Sequence, residues 1–81
     1  MIAVTIYSRP GCHLCDDMKA VVARAIAGRA DVTIDEIDIS SDPALEASYG
    51  LEIPVLLVDG RKIAKYRVEE GVVRRALGPG G

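Results

Sequence analysis

The stretch Val4-Thr5-Ile6-Tyr7-Ser8-Arg9-Pro10-Gly11-Cys12-His13-Leu14-Cys15 decides the reading of this chain. From Ile2 to Ser8, Ile2, Val4 and Ile6 alternate with Ala3, Thr5 and Tyr7. Both sets are mostly apolar or β-favouring, as in a strand covered on both faces. Arg9-Pro10-Gly11 breaks the strand. A helix follows, because Leu14, Met18, Val21, Val22, Ala25 and Ile26 recur at three and four residues and define a buried stripe. Asp16 and Asp17 suit its positively polarised first turn, and Gly28 suits its end.

The two cysteines of the chain lie at the junction of that strand and helix. Cys12 falls where loop becomes helix, and Cys15 is one turn in. Side chains three apart on a helix are neighbours, so an intramolecular disulfide is sterically natural. The two thiols differ. Cys15 shares a side with Met18 and Val22 and is expected to be buried. Cys12 sits at the helix tip, where free backbone N–H groups point outward. In comparable motifs such groups lower a thiol pKa from about 8.5 to roughly 3.5–7.5. Cys12 is therefore read as the attacking sulfur and Cys15 as the resolving one. Arg9, three residues before Cys12, is a candidate orienting charge, or else a solvated loop residue. His13 favours the thiolate if protonated, or else is exposed without a role. Asp16 and Asp17 oppose the thiolate.

Zinc wants four convergent ligands, and Cys12, Cys15 and His13 do not supply them. No metal site is expected. Inert core cysteines are the plain alternative, but the first turn after Pro-Gly is a poor place for them. The expected chemistry is thiol–disulfide exchange, which needs no metal and no bound organic cofactor but does need an external electron donor.

Working outward, 81 residues make one domain, placed at residues 1–78, with 79–81 as a flexible tail. Ten Lys plus Arg against twelve Asp plus Glu leave a net charge of −2, which argues against a phosphate-binding surface. With no Trp, no Phe and three Tyr, the composition argues against stacked single-strand recognition of nucleic acid too. No apolar run is long enough to span a bilayer. Met1-Ile2-Ala3-Val4 lacks the pattern of an export signal. The expectation is a cytoplasmic monomer, in a compartment where a cysteine pair is more often catalytic or metal-binding than structural.

Val32 to Ile39 reads as a second strand, whose apolar phase shifts at Asp35-Glu36 through either a bulge or an edge position. Asp42-Pro43 starts a short helix that Gly50 ends. Val55 to Val58 and Arg61 to Tyr66 form a hairpin about Asp59-Gly60, with Arg61, Lys62 and Lys65 suiting an exposed edge. A last helix opens at Glu69 and Glu70, buries Val68, Val72, Val73, Ala76 and Leu77, and closes at Arg74 and Arg75. The order is βαβαββα: an α/β chain with one mixed four-stranded sheet flanked by three helices, its first strand–helix–strand unit parallel.

Val4 through Cys15, with Ile53-Pro54 and the Val55 to Tyr66 hairpin, resembles the glutaredoxins and related small bacterial glutaredoxin-like proteins. The resemblance covers nearly the whole chain. It implies the thioredoxin fold, dithiol–disulfide exchange as an enzymatic activity, and a sheet with the first strand beside the hairpin and the second at the edge. It implies that Pro54 is cis and that the backbone of Ile53 pairs with a peptide-like substrate. Arg9 and Ile53 match two of the family's glutathione contacts. A third, a glycine pair before the last helix, is replaced by Ala64-Lys65-Tyr66-Arg67, and His13-Leu14 replaces the usual Pro-Tyr between the cysteines. Tyr66-Arg67 is similar to redoxins that take electrons from thioredoxin reductase. The resemblance thus implies a disulfide reductase of protein or glutathione-mixed disulfides. Its substrate-binding residues are Arg9, His13, Ile53 and Pro54, and its donor is glutathione or a thioredoxin-reductase-type protein. Two other readings stay open. One is an iron–sulfur module held by Cys12 of two chains with glutathione; the other is a noncatalytic interaction domain.

Overall fold

In the computed structural model, which describes residues 1–79, Ile2–Ser8 forms the first strand, β1. Val4, Ile6 and Ser8 are buried on its inner face. Thr5 and Tyr7 are half-buried on the other and Ala3 is exposed, so the covering expected on both faces is complete on one only. The first helix, α1, is His13–Ile26. Met18, Val22 and Ala25 of the expected stripe are buried, while Leu14, Val21 and Ile26 are half-buried. Fully burying a side chain such as Met18 contributes about 1.5–3 kcal/mol, which fixes the rotation of α1 about its axis and so the direction in which Cys15 points.

Strand β2, Val32–Asp38, runs parallel to β1 in unbroken register from Ile2 opposite Val32 to Ser8 opposite Asp38. Of the two explanations for its apolar phase shift, the edge position is correct and the bulge is not. Its residues from Thr33 onward are exposed. The strand stops one residue short of the expected Ile39. There the Asp38 carboxylate accepts the Ser40 amide and starts a single 3-10 turn, Ile39–Ser41, that swings Ile39 into the interior. Helix α2, Pro43–Tyr49, begins as expected: Asp42 accepts the amides of Ala44 and Leu45, and Pro43 needs no partner for a missing N–H.

After Gly50 the chain passes a cis Ile53–Pro54 bond, as the resemblance implies, and enters β3, Val55–Val58, all four residues buried. Asp59 and Gly60 both take positive φ, 50° and 83°, the twist a two-residue hairpin requires. Strand β4 is Arg61–Lys65, not Arg61–Tyr66, because Tyr66 leaves the extended region with φ 66°. Helix α3 spans Glu70–Leu77, with Glu69 at the cap position but making no side-chain bond to it. Of the expected tail, Gly80 and Gly81 lie outside the described residues.

The sheet order is β2-β1-β3-β4, with β1 antiparallel to β3 and Tyr7 opposite Val55. Helices α1 and α3 share one face. There Met18, Val22, Ala25, Val73 and Leu77 pack with Val4, Ile6, Leu56 and Val58 into the core. On the opposite face the Tyr49 ring of α2 meets the Tyr7 ring at 4.8 Å. One consequence matters for the site. The loop that leaves β1 after Ser8 and the proline that enters β3 before Val55 are at the same end of the sheet.

Candidate active site at the start of the first helix

Gly11, with φ 77°, lets the chain reverse between Pro10 and Cys12 at a position where an L side chain is disfavoured. Cys12 is the cap residue of α1, in extended conformation, and its sulfur accepts the Cys15 amide at 3.1 Å. A cap of this kind is normally an oxygen of Ser, Thr or Asp. Here a sulfur holds the place. The amides of His13 and Leu14 have no hydrogen-bond partner among the described residues, so the positive end of α1 stays open beside that sulfur.

The sulfurs of Cys12 and Cys15 are joined as a disulfide with Cα atoms 5.2 Å apart, inside the range such bonds require. Cys15 is 2% exposed and Cys12 is half-buried. The asymmetry expected from the helix stripe is therefore present.

Both cysteines line a polar recess of about 300 Å³. Its other walls include Arg9, Asp16, Lys19, Glu36 and Asp38. Position alone did not single out most of these as neighbours of the pair. The buried Ser8 hydroxyl donates to the Glu36 carboxylate at 2.9 Å. Lys19 bridges Glu36 at 3.0 Å and Asp16 at 3.4 Å. The hydrogen bond to Glu36, opposed by desolvation and joined by Asp16, holds the Lys19 ammonium above its ordinary range. The register of β1 with β2 makes this cluster, since it brings Glu36 opposite Ile6. The one local trace of it in the sequence is the i, i+3 spacing of Asp16 and Lys19, which the sequence reading above did not use.

Arg9 does not stand free toward solvent. Its guanidinium pairs with Glu46 of α2 and donates to the Gly50 carbonyl at 3.4 Å. It therefore ties the cysteine loop to α2 while still lining the recess. His13 is exposed at the first position of α1. Ile53 is half-buried and Pro54 buried. Neither lines the cysteine recess, but Pro54 enters β3 next to the end of β1 from which the cysteine loop departs. Ile53 has no backbone hydrogen bond among the described residues, whereas the Pro54 carbonyl accepts the Tyr66 amide at 2.9 Å. No group of three or more His, Cys, Asp or Glu side chains among the described residues is arranged to hold a metal ion. None of the described helices is long and apolar enough to cross a membrane.

Residues 3–78 match the family model described as Glutaredoxin-like domain (DUF836). The chain belongs to the glutaredoxin-like family. A structure of the protein XcR50 from X. campestris is 35% identical, with a TM-score of 0.77 over 94% of this chain and 99% of that one. The Glutaredoxin-like protein YDR286C homolog of Dictyostelium discoideum is 30% identical over 74 residues, covering 85% of this chain and 68% of that protein. A thioredoxin from Halobacterium salinarum, 22% identical, superposes with a TM-score of 0.62 over 93% of this chain and 70% of its own. That likeness shows the fold. This glutaredoxin-like domain has the thioredoxin fold, a mixed four-stranded sheet with three helices, and carries its Cys12–Cys15 disulfide at the head of α1.

Proposed function

We propose that this glutaredoxin-like domain is a dithiol–disulfide oxidoreductase that reduces disulfide-containing proteins. The observation that carries the reading is the Cys15 amide donated to the Cys12 sulfur, with Cys15 itself enclosed. In the reduced protein the same amide and the open amides of His13 and Leu14 stabilise negative charge on Cys12. The Cys12 thiolate attacks a substrate disulfide, one S–S bond breaks, and the first substrate thiolate leaves. Cys15 then loses its proton and attacks the Cys12 sulfur of the mixed disulfide. The second substrate thiol is released and the Cys12–Cys15 disulfide forms. Two electrons have passed from the dithiol to the substrate. An external thiol donor, glutathione or a thioredoxin-reductase-type protein, returns them. The backbone of Ile53, positioned by Pro54, receives the substrate backbone, and His13 and Arg9 flank it.

The test is a pair of variants. Cys12→Ser abolishes reduction of a disulfide substrate. Cys15→Ser accumulates a mixed disulfide detectable by mass. Equal residual turnover in both would contradict the roles assigned. Supplying oxidised protein with glutathione plus glutathione reductase, or with thioredoxin reductase, and following NADPH identifies the donor. NADPH consumption in neither system counts against the reading.

A further inference from the structure

At Tyr66 the chain turns from β4 toward α3 with φ 66°. Glycine adopts this left-handed conformation freely and a bulky side chain does not. A tyrosine held there points to a use of its side chain that glycine cannot supply. The phenol hydroxyl donates to the Leu51 carbonyl at 2.9 Å, and the amide of the same residue donates to the Pro54 carbonyl at 2.9 Å. These two bonds bracket Ile53. They occupy the carbonyls of Leu51, two residues before it, and of Pro54, one residue after it, while the Ile53 N–H and C=O have no hydrogen bond among the described residues.

Apolar surface stands on the same strap. Leu51 is 93% exposed and Tyr66 43%. Tyr66 also lines a groove of about 730 Å³ whose floor includes Met18, Val21, Val68 and Val72 and whose walls also carry Asp17, Arg24, Arg67 and Glu69. At 1.5 Å per residue the α1 side of that groove, Asp17 to Arg24, is about 10 Å long.

We propose that Tyr66 and Leu51 set the substrate class of this site: they form an apolar ledge for the polypeptide flanking a disulfide, so protein disulfides are preferred to small polar ones. This rests on the oxidoreductase reading of Cys12. The occupant is a polypeptide because the free N–H and C=O of Ile53 match the backbone of an extended chain. A small polar disulfide has no apolar side chain to cover Leu51. The exchange itself is unchanged: the substrate S–S bond breaks, the protein dithiol becomes the disulfide, and the substrate leaves as two thiols.

The test mixes fully reduced protein, without added reductant, with oxidised insulin or with hydroxyethyl disulfide. Samples are quenched in acid, and dithiol converted to disulfide is read by mass. The quantity compared is the ratio of the two second-order rate constants. Leu51→Ser and Tyr66→Gly each lower the insulin-to-hydroxyethyl-disulfide ratio at least about fivefold, the scale of one contact residue. Tyr66→Phe, which keeps the ring and releases the Leu51 carbonyl, gives a smaller fall. Leu51 is so exposed that its replacement does not threaten folding, which circular dichroism checks. An unchanged ratio in Leu51→Ser and Tyr66→Gly overturns the ledge while leaving the oxidoreductase reading intact. A wild-type protein oxidised by neither substrate overturns both.

Discussion

The amide of Cys15 points at the sulfur of Cys12 from 3.1 Å, so in the exchange we propose the resolving residue also helps to ionise the attacking one. One helical turn performs both tasks. It supplies the amide dipoles, and it sets the Cα–Cα separation of 5.2 Å that lets the second sulfur reach the first.

Alkylation of the reduced protein tests this arrangement directly. The rate at Cys12 rises through a midpoint below about 8.5, within roughly 3.5–7.5, while enclosed Cys15 reacts slowly. Iodoacetamide kinetics from pH 4 to 10, with the labelled site read by mass, provide the profile. Two thiols that both titrate near the free value would sink the claim.

Arg9 is held by Glu46, so its charge is partly neutralised beside the cysteine recess. In Glu46→Gln that charge is released. Reaction of Cys12 with an anionic disulfide speeds up relative to a neutral one, and the gain shrinks as salt rises through about 0.15 M. A ratio that does not move would make Arg9 only a fastener of α2. The pair itself is half-exposed, and its loss costs at most about 1 kcal/mol of stability.

Met18 ties α1 to the sheet from the core. Met18→Ala lowers unfolding free energy by about 2–5 kcal/mol, measured by urea denaturation. A loss well under 1 kcal/mol would mean that α1 is anchored elsewhere.

Acid destabilises the fold through identifiable carboxylates. Arg29 holds Asp31 below its ordinary range, and Arg74 followed by Arg24 does so for Glu70. Lys62 acts likewise on Glu52, and the Ser40 hydroxyl and amide on Asp38. Each folded-state pKa is depressed. The stabilisation is therefore present above the ordinary values of 3.8 for Asp and 4.5 for Glu. It fades as pH falls through that range toward the lower folded values. At the other end, Lys19 and Lys62 are raised, so their contribution is lost only as pH climbs beyond 10.5. Urea midpoints between pH 7 and 2 show a shallower acid limb in Asp31→Asn than in the wild type. Superimposable limbs would remove Asp31 from the account.

Much of the site was legible because its signals are local. Cys12 and Cys15 are three residues apart on one helix, the Pro-Gly before them ends a strand, and Met18 and Val22 assign Cys15 to the buried side. Asp42-Pro43 and Asp59-Gly60 are likewise caps and turns whose chemistry lies within a few residues. The cis bond before Pro54 came from family resemblance, not from local pattern.

Other features had no local signal. Lys65-Tyr66 reads as continuing strand until a left-handed backbone and a hydroxyl bond to Leu51, fifteen positions away, end it. Arg9 reads either as an orienting charge for Cys12 or as a solvated loop charge, and neither reading contains the partner that α2 brings against it, Glu46. The two candidate explanations for Asp35-Glu36 were separated only by the unbroken pairing of β2 with β1, which also carries Glu36 to Ser8 and Lys19. By itself the sequence determined the helix-head cysteine pair, the order of elements and the identity of the buried stripes, because periodicity, caps and turns act over a single turn of chain. The tertiary structure alone decided which charges surround that pair and what covers the Ile53 loop. Those depend on strand register and helix placement, and contacts between residues far apart in the chain leave no mark on the residues between them.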